Sequence, residues 1–280
     1  MTTKEFFGTS SIFLITMLVL SIPTIILVSS TQDTFSAGAT ITNSPPTISV
    51  DAGQSVTGQT AGSKVVYLTF NASDANGWGD LNDTTAKIII NRTGETTRTS
   101  TSCAVLAGHI NSQTSTYNCS ISIWFFDGSG AWTMNASVTD NSTNFVQNTS
   151  ASATLNTVDS VAVVSSSISF SGAPGTTNAS ASPLQQLNNT GNVNYASINI
   201  TGFAFTSGSN VIGVGNVTVN TTNGVGFGQN LINNTKVTIA SSALAKGNNS
   251  KTSMYFWLNI PAGAASGSYT SQSNWILDAN

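Results

Sequence analysis

Hydrophobic and polar residues alternate most cleanly between Tyr117 and Asp140. Cys119, Ile121, Ile123 and Phe125 share one phase, and Asn118, Ser120 and Ser122 share the other. Past Asp127-Gly128-Ser129-Gly130 the pattern resumes, with Trp132, Met134, Ala136 and Val138 set against Thr133, Asn135, Ser137 and Thr139. A period of two marks strands with one apolar face, and the short Gly-rich turn predicts that they pair as an antiparallel hairpin. The apolar face needs a second layer over it, so the stretch predicts a layered all-β fold.

Shorter runs extend this pattern in both directions. Thr47 to Val50, Val65 to Ala72, Ala86 to Asn91 and Phe145 to Leu155 read as strands, separated by turns such as Asp51-Ala52-Gly53 and Asn76-Gly77. About seven strands in such a span predict an immunoglobulin-like β-sandwich, placed over residues 39–158. Downstream, Ala196 to Thr201, Asn216 to Asn220, Lys236 to Ala240, Met254 to Ile260 and Gly267 to Leu277 predict a second β-sandwich over 159–280. No long linker separates the two.

The N-terminus breaks the alternation. Ile12 to Val28 is almost wholly apolar, interrupted by Thr16, Ser21, Pro23 and Thr24, and is followed by Ser36-Ala37-Gly38-Ala39. Residues 1–38 are therefore predicted to form an N-terminal apolar helix, a secretory signal peptide or, as the second reading, an uncleaved membrane anchor. Pro23 and the polar breaks favour cleavage. Either reading exports the remainder.

Composition sharpens the compartment. Charged residues make up 7% and hydrophobic residues 39%. The first figure is far below the roughly one quarter of a typical soluble domain, so hydroxyls and amides replace charge at the surface. The net charge of −3 offers no basic patch, which excludes nucleic acid as a partner.

Candidate chemistry is sparse. Asn-x-Ser/Thr acceptor sites stand at Asn71, Asn82, Asn91, Asn118, Asn135, Asn141, Asn148, Asn178, Asn188, Asn199, Asn216, Asn220, Asn233 and Asn248. That is 14 sites, against roughly 9 from composition alone. Asn118, Asn135, Asn199, Asn216 and Asn220 fall on the polar phase of their strands, where a glycan is expected to stand clear of the core. Cys103 and Cys119, in an exported chain, predict a disulfide joining the segment after Thr101 to the predicted hairpin. A loop of that size stabilises by about 3 kcal/mol in the chain-entropy model.

Oxygen side chains at Asp74, Asn76, Asp80 and Asp83 match Ca²⁺-loop chemistry, and Gly79 holds the place of the EF-hand glycine. Trp78 stands where an oxygen ligand belongs, and Thr85 replaces the closing Glu. A plain turn is thus the leading reading of this run, and a structural Ca²⁺ site the alternative. The sole histidine, His109, has no acid paired to it in a recognisable motif, and no Gly-x-Ser-x-Gly or paired-Glu signature occurs. The chain is predicted not to be an enzyme, with no cofactor beyond that Ca²⁺ alternative. Trp124 and Phe126 fall on the polar phase and read as an inter-domain or subunit contact ahead of a sugar platform.

The run Asp74-Ala-Asn-Gly-Trp-Gly-Asp-Leu81, with Tyr117-Asn-Cys-Ser120, Gly130-Ala-Trp132 and Val138-Thr-Asp-Asn141, resembles immunoglobulin-like modules of archaeal cell-surface glycoproteins. Asn189-Thr-Gly-Asn192 and Pro261-Ala-Gly263 with Gly267-Ser-Tyr-Thr270 are similar to elements that close such proteins. These elements span about half of the mature chain. The resemblance implies an extracellular, envelope-associated role without catalysis. The chain is short for a large surface-layer protein of that kind, and no hydrophobic C-terminal anchor is expected in it.

These readings predict a secreted or surface-attached glycoprotein with a structural or interaction role in the cell envelope. Its expected partners are envelope proteins or further copies of itself, with membrane contact only through an uncleaved N-terminal segment. The alternative is a carbohydrate-binding or adhesion module, Ca²⁺-assisted, with glycans as ligands. Trp78 and Trp124 exposed side by side in a groove would mark that alternative, and burial of both would mark a structural role.

Overall fold

The computed structural model describes residues 35–106, 109–225 and 228–280. The apolar run Ile12 to Val28, expected to be helical, lies outside them. The chain divides into Met1–Thr42 and Asn43–Asn280. Residues 35–42 of the first unit have no regular structure, with Phe35 and Ile41 exposed. No helix among the described residues is long and apolar enough to cross a membrane.

The second unit is all-β and holds two hydrophobic cores. Among the described residues the first lobe uses nine strands: β1 (Thr47–Ser49), β2 (Gln54–Val56), β3 (Ser63–Ser73), β4 (Leu81–Asn91), β5 (Arg98–Thr99), β6 (Ser102–Val105), β7 (Thr114–Trp124), β8 (Gly130–Asp140) and β9 (Phe145–Leu155). They form two sheets, ordered β1-β3-β7-β6 and β2-β9-β8-β4-β5. The β2–β9 pair is parallel. Phe70, Tyr117, Ile121 and Ile123 from one sheet meet Ile88, Ile90, Trp132, Met134 and Val138 from the other in one core, all at most 1% exposed. Burying side chains of this size stabilises by about 1.5–3 kcal/mol each.

The Tyr117 to Asp140 stretch is not a hairpin. β7 pairs with β3 and β6, whereas β8 pairs with β4 and β9. Residues 125–129 carry the chain across from one sheet to the other. Alternation specifies which face of a strand is apolar but not which strand lies beside it. Here the two apolar faces cover each other, so each strand supplies the second layer for the other.

The crossing is built by Asp127, 1% exposed, whose Oδ2 accepts the Trp124 N–H at 2.7 Å. Arg98 donates to the same carboxylate through Nε at 2.9 Å and through Nη2. Trp132 Nε1 donates to Gly128 O at 2.9 Å, closing the corner from the far sheet.

The second lobe has shorter strands: β10 (Val161–Val163), β11 (Ala179–Ser180), β12 (Gln185–Asn189), β13 (Ile198–Thr201), β14 (Phe205–Ser207), β15 (Asn210–Ile212), β16 (Val217–Asn220), β17 (Gln229–Asn230), β18 (Lys236–Thr238), β19 (Lys251–Leu258), β20 (Thr270–Ser271) and β21 (Ile276–Ala279). Three sheets result: β10-β12-β19-β16-β17 with β11 also on β19, β18-β13-β21, and β15-β14-β20. Leu187, Ile198, Ile200, Val217, Met254 and Phe256 unite the first two in one core. The expected strand Gly267 to Leu277 forms only in part, as β20 and the start of β21.

The lobes meet at Asn189-Thr190-Gly191-Asn192, which binds the connecting segment 156–160. Asn192 Oδ1 accepts the Val158 N–H at 2.7 Å, and its Nδ2 donates to Asn156 O at 3.0 Å. The Thr190 and Ser160 hydroxyls bond at 2.8 Å, and Ala61 of the first lobe donates its N–H to Thr190 O at 3.0 Å. Tyr195 OH accepts the Ser160 N–H at 3.0 Å and donates to Asp159 Oδ1 at 2.5 Å. Beside this joint, Lys246 Nζ reaches across to Glu95 Oε1 at 2.6 Å and Phe126 O at 3.2 Å.

Candidate functional site

One end of the first lobe gathers carboxylates. β3 ends at Ser73, and a turn delivers Asp74 before a 3₁₀ turn at Trp78–Asp80 leads into β4. The Asp74 carboxylate caps its own turn, with Oδ1 accepting the Asn76 N–H at 2.7 Å. Gly77 follows at φ 110°, a backbone conformation that an L side chain rarely takes. Asp140, the last residue of β8, faces this turn from the opposite sheet, in register with Leu81.

Asp74, Asp80 and Asp140 each place a carboxylate oxygen within 4.8 Å of the other two. Asp74 and Asp140 are buried and Asp80 is partly exposed. Asp140 is oriented by Asn144, whose N–H and Nδ2 each donate at 2.8 Å, and by Asn43 Nδ2 at 2.7 Å. Burial opposes ionisation of Asp140, but these bonds and one from the Ser142 backbone hold its pKa below the usual carboxylate value. Asp80 is pushed the other way, by desolvation first and then by the charges of Asp74 and Asp140.

The four residues expected to ligate Ca²⁺ are thus divided. Asp74 and Asp80 converge. Asp83, itself exposed, leaves the group, because its Oδ1 accepts the Tyr117 hydroxyl at 2.6 Å. Asn76 turns its Oδ1 to the Ser44 N–H at 2.9 Å. The third converging carboxylate, Asp140, was not among the expected four. Its signal in the sequence is a charge on the apolar phase of β8, two residues past Val138.

His109 stacks on Trp78 with centroids 3.6 Å apart, and its Nδ1 lies 2.9 Å from Ser115 Oγ. Trp78 and Trp124 are each about two-fifths exposed, at 43% and 39%, but they do not share a groove. The Trp78 N–H donates to Ser112 O, just before β7 begins, and Trp124 ends that strand, roughly 35 Å away along it. Trp124 stacks instead on Phe126, centroids 5.8 Å apart, beside the Lys246 contact between lobes. Cys103 and Cys119 are directly opposed in the β6–β7 ladder and form a disulfide.

Among the acceptor asparagines, Asn91, Asn141, Asn233 and Asn248 are exposed. Asn71, Asn82, Asn118, Asn135, Asn148, Asn178, Asn188, Asn216 and Asn220 are half-buried. Asn199 is 1% exposed, contrary to the expectation that its face is open. Its Nδ2 donates to Asp278 Oδ1 at 2.9 Å and its Oδ1 accepts from Thr238 Oγ1 at 2.7 Å. The Lys236–Asp278 ion pair at 3.0 Å flanks it. As the middle strand of its sheet, β13 is covered on both faces, so alternation there does not separate core from solvent.

The second lobe carries a cleft of about 340 Å³, within the range of small-ligand sites. Phe205, Trp275, Ser167, Ser271, Ser273 and Asn274 are among the residues lining it, and no lining residue is charged.

No family model matches the chain, and no curated protein matches it. Among solved structures it is similar to the wild-type C-terminal domain of the Streptococcus agalactiae AgI/II polypeptide BspA, at 10% identity and a TM-score of 0.23. That match covers 83% of this chain and 97% of the other. A second structure, named BspA C WT, gives 9% identity and a TM-score of 0.22 over the same shares. A likeness of that size defines no common fold.

Proposed function

We propose that this chain is an extracellular, N-glycosylated β-protein with a structural or interaction role at the cell surface. The observation that carries this reading is the joint. Asn189 to Asn192 bind the connecting segment by side chain and backbone alike, which makes the two lobes one stiff spacer rather than beads on a tether.

The order β1-β3-β7-β6 against β9-β8-β4 corresponds to strands A-B-E-D and G-F-C of an immunoglobulin-like sandwich, which is our assignment for the first lobe. A cross-strand disulfide suits an oxidising compartment. The His109 ring is engaged in packing against Trp78 and in bonding to Ser115, which supports a non-catalytic role. Envelope proteins or further copies of the chain are the partners this reading assigns.

Immunogold labelling of intact, unpermeabilised native cells tests it. Label on the outer surface is expected. Label seen only after permeabilisation would overturn the proposal.

The cleft at Phe205 and Trp275 supports a second reading, a carbohydrate-binding module. Aromatic faces with hydroxyls and no charge suit a neutral sugar. A glycan array comparing the chain with Trp275→Ala decides this, and identical profiles would remove it.

A further inference from the structure

We propose that Asp74, Asp80 and Asp140 together bind a divalent cation, Ca²⁺ by the chemistry of the site. One oxygen from each lies within 4.8 Å of the others, no more than two Ca–O bonds of about 2.4 Å laid end to end. Asp74 is 1% exposed, and its Oδ2 has no hydrogen-bond partner, Oδ1 being taken by Asn76. A buried carboxylate oxygen without a donor is costly, and a cation removes that cost together with the repulsion among the three charges.

Protein cations do not fill this role. The ion pairs among the described residues are Arg98–Asp127, Lys236–Asp278 and Lys246–Glu95, and none touches the cluster. The donors are all oxygen, without His or Cys, which selects a hard cation over zinc or copper. Ca²⁺ takes six to eight oxygens in flexible geometry, so carbonyls and waters complete its shell, whereas Mg²⁺ demands a tighter octahedron.

The ligands are also held from behind, Asp140 by Asn144 and Asn43 and Asp74 by its own turn, as supporting residues hold metal ligands elsewhere. A bound ion here ties together the lead-in at Asn43, the turn after β3 and the turn between β8 and β9. It acts as a structural staple.

Calorimetric titration of Ca²⁺ into the chelator-stripped full chain, in mild detergent, tests the proposal. One site per chain is expected, with Kd of about 0.1 mM, as in extracellular calcium modules, and a higher Tm in saturating Ca²⁺ than in chelator. Asp80→Asn alters the ligand that supports no backbone, so it is expected to fold and to weaken binding by about tenfold or more. Asp83→Asn lies outside the site and is expected to leave Kd unchanged. No heat of binding at about 10 mM Ca²⁺ from a chain that melts cooperatively would overturn the proposal. Equal affinity in the wild type and Asp80→Asn would do the same.

Discussion

The two lobes solve the same problem, burying a β core, by different means. The first uses five strands of 11 residues each, and burial along β7 alternates almost without fault. Its buried polar side chains, Asp74, Ser115, Asp127 and Asp140, all lie toward the ends of the sandwich, where ladders stop.

The longest strand of the second lobe is β19, with 8 residues. Short strands leave more backbone groups beyond their ladders, and those groups must still be bonded when buried. Buried amides and hydroxyls meet that need. Gln185 donates to Ser165 O and accepts its N–H, Asn189 donates to Val193 O and Ala245 O, and Ser242 accepts the Ile198 N–H. A core held by ladders hides its polar groups at the tips; a core held by loops brings them inside.

The largest expected effect tests the first mode. Trp132→Ala removes a fully buried indole and its bond to Gly128 O, and is expected to cost about 3–5 kcal/mol. Chemical denaturation followed by circular dichroism measures it. A loss below about 1 kcal/mol would mean that the ladders rather than the core hold this lobe. Next comes the double change Cys103→Ser and Cys119→Ser. It is expected to cost about 3 kcal/mol by enlarging the unfolded ensemble, and, with the joint intact, to lower the single melting transition that the two lobes share.

Most of the first lobe was legible in its sequence, since long strands with one face to solvent write their burial as a period of two. The pairing of β7 was not legible, because phase carries no information about neighbours. Asp140 stands in the pattern as a charge in the apolar phase, but it joins Asp74 and Asp80 only through the pairing of β8 with β4, which spacing within the run 74–83 does not encode. The polar phase of β13 misled for a physical reason: a short middle strand is covered on both sides, so Asn199 is polar and buried at once.

The joint connects the two modes. A Cβ on Gly191 would lie 2.1 Å from Val158 O and 2.9 Å from Ser160 N, both backbone atoms. Gly191→Ala is therefore expected to force the connecting segment away, at about 2 kcal/mol. In a calorimetric scan it should split one melting transition into two. A single transition at an unchanged Tm would show that the lobes are coupled elsewhere, through Lys246 and Glu95.

A paired substitution contrasts the polar phases of one strand from each lobe. Ser122→Val on β7 changes a half-buried surface position and is expected to stay within about 0.5 kcal/mol. Asn199→Leu, also on a polar phase, strips partners from Asp278 and Thr238 and is expected to cost about 1–3 kcal/mol. Equal costs, measured by urea denaturation, would erase the distinction between the lobes at these strands.

The smallest effect is alkaline. Each lobe carries a tyrosine bonded to an aspartate, Tyr117 to Asp83 and Tyr195 to Asp159. Desolvation first, and then the carboxylate as hydrogen-bond acceptor and as charge, raises both phenols, Tyr195 to about 12. Because the folded pKa lies above the unfolded value near 10, the unfolded chain loses its proton first as pH rises. The stability is fully present below about pH 10 and is lost progressively as pH climbs toward the folded pKa, about 12 for Tyr195. At about pH 10.5 the Tyr195 share of the loss is about 1 kcal/mol or less, a Tm shift of a few degrees for a body of this size. Tyr195→Phe is expected to flatten the slope of Tm against pH over this window, and Tyr117→Phe to flatten what remains. Because Tyr195 bonds to the connecting segment and Tyr117 lies in the first core, the first variant should act on the coupling of the lobes and the second on the first lobe alone. An unchanged slope in Tyr195→Phe would show that the phenol at the joint ionises as freely in the folded chain as in the unfolded one.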